Sequence, residues 1–175
     1  MSLPRYALRS AAFAAVFLTA ALTLGAPLAV AALWLTAQHR YAHRRHDVVM
    51  LATAAMVWAT LEGAGLLMSA VVAVATVVPA LLYAVLLQRW LPGYWLGHGD
   101  RFRRPRAALG RLAASAALAA GAAAVLSAVI DTAFSPLTAA LFLAGNTAAL
   151  MLAPLAVRAA RRSREPRRAA LSVVR

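Results

Sequence analysis

Glu62 and Asp131 are the residues of this chain best placed to do chemistry from an apolar setting. Residues 48–88 carry no charge except Glu62, and residues 112–157 carry none except Asp131. An acid inside or at the edge of a membrane is by default a candidate functional group, because it is expensive to keep there. Trp58 and Thr60 stand just before Glu62, and Phe134 and Ser135 just after Asp131, at a common depth. Together they would line an outward-facing pocket for a small molecule. The competing reading makes both acids turn-forming residues that water solvates. Asn146 falls near the middle of the last apolar stretch, where an unpaired amide is costly. It is expected to bond a neighbouring helix or to contact a ligand.

His39 and His43 lie four apart, a spacing that sets both imidazoles on one helix face as a metal requires, with His46 and Asp47 beside them. Arg40, Arg44 and Arg45 intervene and repel a cation. We therefore expect no metal, and read the segment as a polar cap at a membrane surface. The chain contains no cysteine, which excludes disulfides, thiolate metal sites and Cys nucleophiles. It shows no Ser-His-Asp order, phosphate-binding Gly-rich loop or paired intramembrane carboxylate. All four histidines fall in polar connections, which argues against haem ligation within the bundle. No enzyme and no cofactor is expected.

The arginines reveal what must position these residues. Arg5 and Arg9 precede the first apolar run, and Arg40, Arg44 and Arg45 occupy the next polar break. Arg89, Arg101, Arg103, Arg104, Arg106 and Arg111 form a third cluster, and Arg158 to Arg175 a fourth. The apolar stretches between clusters are each interrupted by an arginine-free turn: Gly25 to Pro27, Glu62 to Gly65, and Asp131 to Pro136. Short Arg-rich loops stay cytoplasmic, so the clusters mark the inside and the turns the outside.

A span needs about 20 residues, so the second and third stretches hold two helices each. Residues 10–38 are ambiguous. One helix there would be about 43 Å long, and two would have only about 15 residues each. Two helices keep every arginine cluster inside, and Pro27 suits the first turn of a helix. The expected fold is all-α, a polytopic bundle of about six spans arranged as three hairpins, with both termini cytoplasmic. The spans run over about 8–24, 26–39, 47–61, 65–88, 108–130 and 136–157, within a single membrane domain of residues 1–175. Five spans remain the alternative. The small-residue stretch near Ala20 to Ala26 is read as part of an uncleaved first span rather than as a signal-peptide end.

Composition agrees. Hydrophobic residues make up 63% of the chain, and its mean hydropathy is +0.74, beyond a soluble domain. The net charge of +13 is confined to loops flanking apolar spans, so an anionic cytoplasmic leaflet accounts for it without nucleic acid. In the third connection Trp90, Tyr94, Trp95 and Phe102 suit the headgroup level, with Arg101, Arg103, Arg104 and Arg106 facing phosphates. That surface would anchor to lipid or dock a membrane-protein partner. The tail of residues 158–175 is basic and cytoplasmic, with Pro166 expected to break any helix. Gly65 and Ser69, Ala117 and Gly121, and Ala11 and Ala15 match the small-xxx-small pattern of close helix pairs, a weak signal in so Ala-rich a chain.

The second apolar run opens on proline, Ala26-Pro-Leu-Ala-Val-Ala-Ala-Leu-Trp34, and the fourth contains one, Val77-Val-Pro-Ala-Leu-Leu-Tyr-Ala-Val-Leu-Leu87. With short outer turns, this arrangement resembles the YybS-like membrane proteins and the S components of energy-coupling factor transporters over about residues 8–90. The resemblance implies capture of a small molecule in an outward-facing cavity. It also implies docking onto a coupling subunit, with Ala11 and Ala15 facing that partner. The chain also resembles the rod shape-determining MreD proteins, whose acidic, Gly-rich stretch is echoed only by Glu62-Gly-Ala-Gly65.

The leading expectation is a non-enzymatic component of a larger assembly in the bacterial inner membrane, a transporter-type small-molecule-binding subunit. The alternative is a scaffold that recruits partners through its basic, aromatic face. A pocket among Trp58, Glu62 and Asp131 favours the first. A filled interior with exposed apolar flanks favours the second.

Overall fold

A computed structural model describes the backbone of residues 3–24, 27–37, 41–91, 105–131 and 135–172, and the side chains of residues 7–23, 27–36, 45–91, 106–131, 135–157 and 159. The described chain is all-helical: α1 (Leu3–Leu24), α2 (Pro27–Ala37), α3 (Tyr41–Leu61), α4 (Leu66–Trp90), α5 (Pro105–Ile130) and α6 (Pro136–Ser172). Three of these, over Leu66–Trp90, Arg106–Ile130 and Pro136–Val157, are long and apolar enough to cross a membrane.

Local chemistry explains the boundaries. Pro27, Pro105 and Pro136 open α2, α5 and α6, at the position where a missing N–H costs nothing. Ser135 caps α6, its Oγ accepting from the Thr138 N–H at 3.2 Å. At the end of α3, Gly63 donates to Thr60 O and Ala64 to Ala59 O. With Gly63 at φ +89°, these two bonds form a Schellman cap, which the glycine alone enters without strain.

Consecutive long helices pack as neighbours, α3 on α4, α4 on α5 and α5 on α6. The short connections from α3 to α4 and from α5 to α6 make those neighbours antiparallel. Side-chain ties agree. Arg111, near the start of α5, donates to Trp90 O at the end of α4. Tyr83 and Leu150, both well along α4 and α6 respectively, meet through a 2.9 Å bond from the Tyr83 hydroxyl to Leu150 O. The chain thus has a basic end, where α3 and α5 begin and α4 finishes, and a turn end holding Glu62 and Asp131.

The centre is α2. At 11 residues it is about 16 Å long, too short for a hydrocarbon core of about 30 Å. It packs on α1, α3, α4 and α6, and none of its described side chains is exposed. Of the helix expected over residues 26–39, Pro27–Ala37 is helical, and residues 26, 38 and 39 lie outside the described residues. Around α2, Phe17, Trp34, Leu35, Leu51, Tyr83 and Leu87 form a closed core with many alanines. The flanks face outward: Leu118, Val125 and Val129 on α5 and Leu137, Leu141 and Leu152 on α6 are exposed.

Three further expectations are corrected. α6 continues as helix through Pro166 to Ser172. An interior proline removes one backbone bond, and the Ala- and Arg-rich sequence around it, made of strong helix formers, sustains the helix across the gap. α3 begins at Tyr41, so His43 and His46 lie on a helix rather than in a connection. Of the small-xxx-small matches, Ala117 is exposed rather than packed, while the exposure of Ala11 and Ala15 leaves the partner expectation for them untouched.

Among the described residues α4 and α6 make no close backbone approach, so the buried Tyr83 hydroxyl bridges them. Tyr83→Phe is expected to lower stability by about 0.6–1.5 kcal/mol, the range of interhelical hydrogen bonds in membranes. Denaturant unfolding in detergent measures it. An unchanged midpoint would mean that the bond adds nothing to the α4–α6 association.

Candidate functional site

At the turn end the expected pocket residues stand on or at the ends of α3, α5 and α6, and among the described residues α3 packs on neither of the other two. Glu62 is exposed at the C-cap of α3, its N–H donating to Trp58 O at 3.1 Å. The segment Glu62-Gly-Ala-Gly65 thus serves as a helix stop. Asp131 is exposed at the end of α5, its N–H bonded to Ser127 O at 2.8 Å. The two acids therefore share no helix interface. Phe134 lies outside the described residues. Trp58 is half-buried, and its Nε1 is enclosed without a hydrogen-bond partner. Asn146 donates from Nδ2 to Phe142 O at 2.9 Å, one turn back on its own helix. The interhelical bond expected of it is replaced by a bond within α6.

Hydroxyls along the helices behave like Asn146. Thr19, Thr36, Thr53, Thr60, Thr76 and Ser115 each donate to a carbonyl three or four residues earlier. In apolar surroundings this satisfies a hydroxyl locally and leaves little to offer a ligand.

The basic end is richer. Asp47, near the start of α3, is fully buried, with none of its surface exposed. Its position follows from helix geometry, since Asp47, Leu51, Ala54, Ala55 and Ala59 occupy one buried face. Arg9 lies over the Phe13 ring at 5.7 Å from its centroid. Phe13 in turn stacks on Trp34 at 5.6 Å between centroids. A cation–aromatic–aromatic column therefore joins α1 to α2, and its last ring is wholly buried. Ser10 Oγ and Trp34 Nε1 are buried polar atoms without a hydrogen-bond partner.

A second feature lies between α4 and α5. Arg89, Trp90, Ala107, Gly110, Arg111 and Ala114 line an open groove of about 580 Å³. Arg111 Nη1 donates to Trp90 O at 3.2 Å, fixing one wall. Of the expected lipid or partner surface, Trp90 is half-buried and Arg106 exposed. Tyr94, Trp95, Arg101, Arg103 and Arg104 lie outside the described residues, as do the side chains of His39 and His43. No three His, Cys, Asp or Glu side chains are grouped among the described residues.

Sequence reading attended to the acids at the turns and missed the buried one. The stretch after Asp47 is apolar or small on every side, so only the packing shows that Asp47 shares a face with Leu51 and Ala54. Arg89 and Arg111 were counted as charges, yet only the packing of α4 on α5 makes them two walls of one groove. No protein-family model, curated protein or solved structure matches this chain.

Proposed function

We propose that this chain is a non-enzymatic, six-helix component of the bacterial cytoplasmic membrane that acts as a structural scaffold, presenting its arginine-rich end to the cytoplasm and its outer helices to a membrane partner. The observation carrying this reading is the filled interior. Trp34, Tyr83, Phe17 and Leu35 close the space around α2, while the apolar flanks of α5 and α6 stand exposed. A likeness to MreD-type scaffolds is compatible with this arrangement. Both termini are then cytoplasmic, since the arginine clusters flank the apolar stretches and Arg-rich segments stay inside.

The transporter-type reading, with its likeness to S components, keeps one specific support. Trp58 Nε1 is enclosed without a partner one turn before Glu62, and a ligand at the turn end would supply one. A single set of measurements separates the two. Reporters fused at Arg45, Gly97 and Arg175 are expected inside, and insertions near Gly25, Gly63 and Thr132 outside. A membrane protein is expected to co-purify in mild detergent and to be lost when Arg101, Arg103, Arg104 and Arg106 are neutralised together. Glu62→Gln with Asp131→Asn is expected to leave both unchanged. Stabilisation by a small molecule that this double variant abolishes would replace the scaffold with a binding subunit. Such a ligand adds about 2.7 kcal/mol at a hundredfold excess over Kd, well within reach of a melt.

A further inference from the structure

We propose that the groove between the end of α4 and the first turns of α5 is a discrete binding site for one anionic phospholipid. Its walls carry Arg89 and Arg111, and among the described residues no acid lines it. A guanidinium presents a planar fork of donors that matches a phosphate. The bond from Arg111 Nη1 to Trp90 O holds that side chain at the groove and leaves its other N–H groups available. Trp90 adds an amphipathic ring of the kind that settles at the headgroup level.

The floor is what distinguishes this site from a mere patch of charge. Ala107, Gly110 and Ala114 recur at three and four residues along one face of α5. None carries a side chain larger than a methyl group, so the helix backbone is open to an acyl chain. A Cβ built on Gly110 meets nothing within 4 Å. The glycine is therefore not demanded by helix packing, and its effect is to keep the groove clear. The floor falls inside the apolar stretch Arg106–Ile130, so it runs from the charged rim toward the hydrocarbon. An occupant must be anionic at one end and apolar at the other. A phospholipid satisfies both requirements, whereas free phosphate leaves the floor empty and an acidic peptide has no reason to enter the apolar stretch. This inference goes beyond the scaffold reading and needs only that the chain lie in a bilayer.

Native mass spectrometry of the full chain in mild detergent tests it, with titration of phosphatidylglycerol, phosphatidylethanolamine or inorganic phosphate. One phosphatidylglycerol is expected to be retained. Arg89→Gln with Arg111→Gln should weaken its binding roughly thirtyfold, as two lost charges near a membrane surface imply. Because Arg111 also joins α5 to α4, the decisive variant is Gly110→Leu, whose Cβ meets nothing within 4 Å and whose side chain is expected to occupy the groove. It is expected to exclude the lipid while melting at the wild-type temperature. Ala114→Leu, at an exposed position of the same floor, is an independent plug with the same expectation. Undiminished phosphatidylglycerol binding by both plugged variants would overturn the proposal. So would equal competition by phosphatidylethanolamine, which marks unselective surrounding lipid, or displacement by inorganic phosphate at equal concentration, which marks a small-anion site.

Discussion

Asp47→Ala is expected to destabilise the folded protein by about 3 kcal/mol, more than any substitution at the turn-end acids. The carboxylate is fully buried near the start of α3, on the face that continues through Leu51 and Ala54. A buried ionisable group survives only when its surroundings answer its charge or hydrogen-bonding capacity. Deleting it leaves those surroundings unanswered, at about 1–3 kcal/mol per group and more where a charge is involved. Asp47→Asn keeps the volume and half the acceptors, and should lose about half as much. Glu62→Gln and Asp131→Asn, both at exposed positions, should stay within about 0.5 kcal/mol of wild type, as surface changes do. Unfolding in detergent followed by circular dichroism measures all four. An Asp47→Ala midpoint indistinguishable from wild type would show that this carboxylate does not hold α3 in place.

Trp34→Ala is expected to cost a further class of energy, about 3 kcal/mol, at the low end of the range for Trp truncation in soluble cores. Trp34 is fully buried and carries the Phe13 ring stacked at an interplanar angle of 12°. In lipid the transfer of apolar surface adds little, because the surroundings are as apolar as the core. What remains is the cavity and the lost stacking. Trp34→Phe separates these from the indole N–H. It preserves a ring against Phe13 and removes a buried donor that has no hydrogen-bond partner, so its loss should stay under about 1 kcal/mol. Should Phe prove as damaging as Ala, the N–H rather than the ring would be the group that matters, and a bound ligand at Trp34 would become the natural explanation. Because α2 packs on four other helices, Trp34→Ala should also loosen α1, detectable as faster hydrogen exchange there.

Much of the helix layout was legible in the chain before any folding was considered. Uncharged stretches gave the helices their lengths, and the turn signals fell where they end. Pro27, Pro105 and Pro136 each open a helix, and Gly63 closes one through its positive φ. These are local effects, decided by backbone sterics and by the cost of charge in an apolar span. The extent of α2 was less legible, since nothing in residues 10–38 marks how many of them a neighbouring helix will enclose. Pro166 misled for a related reason. The proline rule is a penalty rather than a veto, and the helix-forming Ala and Arg around it outweigh that penalty.

Sequence by itself determined that the chain is helical, with stretches long and apolar enough to cross a membrane, because composition and stretch length are sums over residues. Only the tertiary structure decided which side of each helix faces its neighbours. In a soluble helix a polar stripe marks the outside, but residues 48–61 and 66–87 are apolar or small almost throughout, so no phase can be read. Asp47 was thus seen as part of a surface cap, whereas the packing of α3 on α1, α2 and α4 buries it completely. Asn146 was expected to reach another helix, whereas its amide closes on Phe142 O. Arg89 and Arg111 became a pair only through the antiparallel packing of α4 and α5. Each outcome rests on the angle at which two apolar surfaces meet, a property of pairs of helices that no single stretch of chain contains.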